Sequence, residues 1–436
     1  MTVTTLKQAL AAPRAALPGS AASQAVRATA LAELEAAGLP TPRREDWRYT
    51  DLKPLVDVAL DFAPRGPDAA ALAAAERALA ARCVTAGAPR LVFVDGHIVP
   101  QLGLLGPTSS GIEVRDLDAY WLQTDAARGT RVSTAAHPLA ALNTAYAQSG
   151  AWLRVADGAR IAEPLTVVIV ASGAQKLVAQ PRLVVEIGRG ADVTIVQHVL
   201  DAAETDGWLN LVTDIALTED SRLSLYRLQE HGYHHAHTSL LAVDLAARAT
   251  ASLGLFDLGG RLVRNDIDVK LREPGAALDL YGLLLAGEGQ HVDDHTRIDH
   301  IAPDTRSTEG FRGVIGRRGR GVFNGKVVVH RGAHGIDARQ TSDNLLLSDQ
   351  AEIDTKPELE IYSDDVKCSH GSTVGELDAE HLFYLRSRGV DEAHAREILT
   401  TAFAATVLER IAMPEIRARV ADKVAARLRT LTEASR

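Results

Sequence analysis

From about Trp152 to Val366 the chain is a nearly unbroken series of short Val/Ile/Leu-rich runs, each ending at Gly, Asp, Ser or Pro. PLTVVIVASG, PRLVVEIGRGADVTIVQHV and SRLSLYRLQ are examples. Within them apolar and polar residues alternate, which points one face of an extended strand at a core and the other away. A small residue followed by alternating apolar positions also recurs, at Ala191-Asp192-Val193-Thr194-Ile195, Ser221-Arg222-Leu223-Ser224-Leu225, Ala249-Thr250-Ala251-Ser252-Leu253 and Ala276-Ala277-Leu278-Asp279-Leu280. These starts lie 30, 28 and 27 residues apart. A loose period of this size predicts a solenoid whose successive turns bury their inward side chains against one another. A β-helix fits best, and a large β-sandwich with the same turn spacing is the alternative.

The flanks read differently. Ser20 to Gly38 is rich in helix formers and closes on a glycine, and a second Ala-rich helix is expected from Pro67 to Cys83. Asp95-Gly96 sits between two apolar runs and suits a two-residue hairpin turn. After Gly375 the strand pattern stops. Asp378 can cap a helix through Arg388, Asp391 another through Ile411, and Pro414 fits the first turn of a third. The expected organisation is a mainly helical N-terminal region with a hairpin (1–145), a β core (146–375) and a C-terminal helical region (376–436).

Net charge and cysteine usage narrow the chemistry. With a formal charge of −9 and a pI near 5.9, the chain is not built to attract nucleic acid or an anionic membrane. No run approaches the roughly 20 apolar residues of a membrane span, and the opening MTVTTLKQALAAPRAALPGS lacks a basic stretch followed by an apolar core, so a cytoplasmic protein is expected. Cys83 and Cys368 are the only cysteines. Two cysteines exclude a disulfide framework, a CxxC pair and a self-sufficient four-cysteine metal site.

The most informative short motif is Lys367-Cys368-Ser369-His370-Gly371. On a strand, Cys368 and His370 project from the same face, presenting a thiol and an imidazole side by side. Both are competent iron ligands, yet two are too few to hold a cluster. A small buried cysteine beside a hydrogen-bonded histidine is the bland alternative. Three other constellations stand out in the sequence. The segment from Glu230 to His237 offers imidazoles for a metal, but without an acidic or cysteine partner at firm spacing it reads as a solvated loop. His291, Asp293, Asp294, His295, Asp299 and His300 suggest the acid/base or calcium sites of polysaccharide-degrading β-helices. Arg312, Arg317, Arg318 and Arg320 are locally basic and read as a turn-rich solvated edge. Neither GxxxxGK[ST] nor a GxGxxG motif in a strand-to-helix context occurs.

Two separated segments, RREDWRYTDLKPL (Arg43–Leu55) and the block from Arg306 to Ile411 containing GKVVVHRGAHGIDARQTSDNLLLSDQ, VKCSHGSTVG and HLFYLRSRG, resemble the SufB/SufD family of iron–sulfur cluster assembly proteins, and SufD within it. SufB proteins have a glutamate after the corresponding histidine, a cysteine in the preceding strands and additional cysteines in their N-terminal part. Here Gly371 follows His370, and no cysteine lies between Cys83 and Cys368. The resemblance implies a right-handed parallel β-helix with helical N- and C-terminal regions, and a non-catalytic scaffold subunit. It implies a SufB partner joined through the β-helix core and a SufC ATPase docked on the C-terminal helices, around Leu382, Phe383, Tyr384, Leu385 and Arg386. It also implies that His370, and with it Cys368, lies at the SufB boundary, where iron or a nascent cluster is shared transiently and no cofactor is bound permanently. Two further readings stay open: a SufB-like scaffold that homodimerises, and a carbohydrate-active β-helix using Asp293 and Asp294.

Overall fold

A computed structural model of the chain describes residues 17, 19–56, 61–62, 66–85, 87–105, 108–109, 111–123, 132, 134, 136–173, 176–204 and 206–433. Most of the opening segment read above for its lack of an apolar leader (residues 1–16 and 18) lies outside these. The alternating runs become strands that pass back and forth between two sheets. Sheet A contains Gly150–Val155, Arg182–Ile187, Gly207–Leu217, His235–Leu245, Leu262–Leu271, His291–His300, Arg320–Val329 and Glu352–Ile361. Sheet B contains Leu165–Ala171, Asp192–Asp201, Arg222–Glu230, Thr250–Asp257, Ala277–Ala286, Arg306–Ile315, Ile336–Leu346 and Val366–Gly375. Within this set each strand pairs in parallel with the strand one turn before and one turn after it, which makes a β-solenoid of about eight turns and excludes the sandwich.

Register explains the sequence repeat. Asp192, Arg222, Thr250 and Ala277 are mutual partners in adjacent turns. The small residues just before them, Ala191, Ser221, Ala249 and Ala276, therefore stack in one fully buried column. Each follows a corner residue with positive φ: Gly190 (63°), Asp220 (61°), Arg248 (56°) and Gly275 (77°). Three of these four corners thus turn into sheet B through a conformation that glycine or aspartate tolerates best. Beyond the corner, Val193, Leu223, Ala251 and Leu278, then Ile195, Leu225, Leu253 and Leu280, point into one continuous apolar core.

The outer faces of the sheets are covered by the flanks. On sheet A, Trp208, Ala236 and Leu262 pack against Leu31 and Leu34 of the helix Ala21–Ala37, and against Trp47, Leu52 and Leu55 of the segment Arg43–Leu55. That helix is capped by Ser20, whose side chain accepts from the Ser23 N–H, and ends at Gly38. On sheet B, Tyr226, Phe256, Tyr281 and Leu283 pack beneath Ala404, Val407, Leu408 and Ile411, and beneath Val420, Val424 and Leu428 of the last helix, Pro414–Glu433. Polar ties run the length of this contact. Arg396 donates to the Leu347 carbonyl (3.0 Å), Arg410 pairs with Asp279, Lys423 pairs with Glu230 (2.7 Å) and Arg419 donates to the Val84 carbonyl (2.6 Å).

The two ends of the stack differ. At the first turn, Ile112–Asp116 pairs antiparallel with Gly150–Val155, and Arg90–Val94, with its hairpin partner His97–Ile98 across Asp95-Gly96, extends sheet B. At the last turn, Glu352–Ile361 and Val366–Gly375 end their sheets with no further strand beyond them among the described residues. No described helix is long and apolar enough to cross a membrane.

Candidate functional site at the open end of the solenoid

The last turn is a coil with one missing neighbour. Val366–Gly375 is half-buried to exposed along its length, whereas Ile336–Leu346 and Arg306–Ile315 below it in sheet B bury every second residue or more. Its backbone presents an unpaired edge, a ready template for another strand. Cys368 pairs with Ala338 and His370 with Gln340, and both lower residues are 1% exposed inside the stack. Cys368 and His370 therefore continue two inward-facing columns at a level where, among the described residues, no coil covers them. Cys368 is half-buried against the main core, and His370 is exposed.

Burial pushes the Cys368 thiol above its ordinary range, and the Asp337 carboxylate adds to this, while a hydrogen bond from the Ala338 backbone offsets part of it. A metal would therefore meet a thiol and must displace its proton. Beneath His370 the column turns polar. Gln340 donates to Glu309 at 2.6 Å, and burial raises the Glu309 carboxyl to about 7 although Thr296 and Gln340 hydrogen-bond to it. The sequence alone gives no sign of this acid, because its partners lie on neighbouring coils and on the other sheet.

Leu382, Phe383, Tyr384, Leu385 and Arg386 lie on the helix Ala379–Ser387, capped by Asp378. None of its side chains is buried. Phe383 is 74% exposed and Tyr384 57% exposed, with Leu382 and Leu385 half-buried beside them. Only Glu376, Leu377 and Asp378 separate this helix from the strand that carries Cys368 and His370.

The acidic and basic clusters are taken up largely by contacts within the fold. Asp293 faces outward from sheet A but is covered by the N-terminal segment: Thr50 donates to it, and Arg264 pairs with it at 2.8 Å. Arg264 also donates to the Asp46 carbonyl (3.0 Å), pairs with Asp266 (2.7 Å) and lies 4.5 Å from the Trp47 ring centroid. Arg264 and His295 outweigh burial and hold the Asp293 carboxyl well below the usual range. Asp294 points the other way, into the core, where Asn265 donates to it at 2.7 Å and burial raises its carboxyl. The two carboxyls leave opposite faces of the strand, so Asp293 and Asp294 do not face each other as the acid pair of glycoside hydrolysis does. The basic segment is broken up as well. Arg312 lies against Phe403 and donates to its carbonyl, Arg317 and Arg318 occupy a turn, and Arg320 pairs with Asp354 at 2.7 Å. Cys83 is buried at the end of the helix Ala69–Arg82, in a core cluster separate from that of Cys368.

The loop reading of Glu230–His237 is corrected. His231, His235 and His237 are 4%, 5% and 0% exposed, Glu230 and Gly232 are half-buried, and Tyr233 and His234 are exposed. The acidic partner that the local sequence lacks is Asp201, supplied by the preceding coil: its register position follows the Leu200–Glu230 pair.

The model of the SUF system FeS cluster assembly SufBD core domain matches residues 169–403, more than half of the chain and almost the whole solenoid. The chain belongs to the SufBD family. Over 409 residues it is 32% identical to the iron–sulfur cluster assembly protein SufD of Escherichia coli K12, with 91% of each chain covered. It is 29% identical over 401 residues to an iron–sulfur cluster assembly SufBD family protein of Synechocystis, covering 89% of this chain and 87% of that one. SufBD proteins are scaffold-type assembly subunits, and this SufD-like member has the mainly β, solenoidal core expected of them.

Proposed function

We propose that this SufBD-family chain is a scaffold subunit that completes an iron–sulfur cluster site across a subunit boundary. Its open coil pairs with SufB, and its C-terminal helices take up the SufC ATPase. The observation that carries the reading is the uncovered last turn: two strand edges available for pairing, with Cys368 and His370 facing the gap between them. A strand added to such an edge gains main-chain hydrogen bonds and sets its side chains in line with the existing columns. Ligands from the added coil would then stand opposite Cys368 and His370 and supply the donors this chain lacks. The cluster is cargo, formed there and passed on. The uncovered apolar side chains of the helix Ala379–Ser387, Phe383 above all, suit a docked partner. Motion of that partner would reach the cluster-bearing strand through three intervening residues.

Co-expression with SufB and SufC tests the proposal, with size exclusion and light scattering for the complex and visible absorption for the cluster. His370→Ala is expected to keep the complex and lose the cluster. Failure of the unsubstituted chain to join SufB and SufC would end this reading. A stable cluster reconstituted anaerobically on a dimer of the isolated chain would replace it with the homodimeric scaffold.

A further inference from the structure

A second constellation of donor side chains, which cluster assembly at the open end does not use, lies where the chain passes from Arg222–Glu230 to His235–Leu245. Asp201, His231, His235 and His237 are all buried there. The Asp201 carboxylate lies 2.5 Å from His231 Nδ1 and accepts from the Gly232 N–H at 2.7 Å. His235 Nδ1 stands 3.6 Å from the same carboxylate, beyond hydrogen-bond length. The His231 and His235 rings stack at 4.2 Å and 3° between planes, and His237 lies 5.5 Å from His231. One ligand atom from each of Asp201, His231 and His235 falls within 4.8 Å of the other two.

Four ring nitrogens in this cluster, His231 Nε2, His235 Nδ1 and both of His237, have no hydrogen-bond partner although they are out of water. Orphaned buried polar atoms are costly, and natural interiors rarely keep several together without a ligand or a role. The surroundings are built to admit the rings. Gly207 pairs with His235, and a Cβ at Gly207 would come within 2.4 Å of His235 Cε1.

We propose that Asp201, His231 and His235 form a binding site for one first-row divalent transition-metal ion, of the zinc or ferrous class. Two imidazoles and one carboxylate are a donor set such ions accept, whereas calcium and magnesium favour oxygen ligands alone. A surface groove bounded by Gly232, Tyr233, Lys423 and Arg427 has His231 in its lining. The site is independent of the open end: it sits on earlier coils, and neither cysteine contributes to it.

The test uses the full chain carrying Cys368→Ser and His370→Ala, which removes the ligands of the open end. Zn2+ and, anaerobically, Fe2+ are titrated by calorimetry, and the zinc-loaded protein is examined by X-ray absorption. The expected result is one ion per chain with nitrogen and oxygen neighbours at about 2.0–2.1 Å and no sulfur, and an affinity that falls about 100-fold or more in Asp201→Asn. Absence of stoichiometric binding, a sulfur in the coordination shell, or unchanged affinity in a folded Asp201→Asn chain would overturn it. Should Asp201→Asn not fold, the coordination shell of the chain with Asp201 intact decides alone.

Discussion

Arg264 offers the sharpest test of how the N-terminal segment is fastened to the solenoid. Arg264→Met keeps an apolar side chain of similar reach over Trp47 but removes the cation that Asp293 faces at 2.8 Å. Asp293 has no exposed surface, so the variant leaves a buried carboxylate without its main partner. Breaking a buried pair in this way costs about 3–5 kcal/mol, and loss of the cation over the Trp47 ring adds on the order of 1 kcal/mol. Pairing depresses the folded-state pKa of Asp293, so its stabilisation is fully present above an unfolded value of about 3.9 and is lost as pH falls toward the folded value. In the variant burial prevails and the carboxyl takes up its proton at higher pH. The deficit should therefore be largest at neutral pH and shrink toward about pH 4. Denaturant unfolding followed by tryptophan fluorescence measures it, and adding Asp293→Asn should recover at least half of the loss, because the orphaned charge is gone. A loss below about 1 kcal/mol, or a double variant no more stable than the single one, would refute the reasoning.

Other expectations follow from the same geometry. Burial lifts Glu309 to about 7, against about 4.3 in an unfolded chain, so its ionisation costs stability that grows between those two pH values. Glu309→Gln should then raise stability by roughly 3–4 kcal/mol at about pH 8 and by little below about pH 4, and equal midpoint shifts at both pH values would count against this. Leu428→Ala, at a fully buried position of the last helix, should cost about 2–5 kcal/mol in the same unfolding assay, and a cost near zero would mean the helix is not seated on sheet B as described. Phe383→Ser should shift stability by no more than about 0.5 kcal/mol, since the ring is largely in water, yet weaken co-purification of SufC. Unaltered SufC recovery would remove Phe383 from the docking surface.

What could be read in advance was local or periodic. Ser20, Asp378 and Asp391 announce helix starts because a cap acts on the next few N–H groups, and all three accept such hydrogen bonds. Asp95-Gly96 makes its hairpin for the same local reason. The column Ala191, Ser221, Ala249 and Ala276 was legible because every coil repeats one corner. Pairings set by the third dimension were not. Asp201 meets His231 thirty positions later, and Arg264 joins Asp293 to a segment more than two hundred residues away. Nothing in the alternation of Asp293 and Asp294 says that one faces a docked peptide and the other the core, since neighbouring strand positions always diverge and only the covering segment decides what each meets. The CxH motif was visible as a pair, but its position at the bare end of the stack came from the strand count.

The ties between the C-terminal helices and sheet B bear on how the stack comes apart. An array of coils held only by neighbour contacts loosens from its ends, one repeat at a time. Here the last helix, which follows the final coil in sequence, is fastened to Glu230 and to Val84 on layers laid down much earlier. The strap adds to the nearest-neighbour contacts a second connection that skips the coils between, so the layers beneath it are not independent of one another.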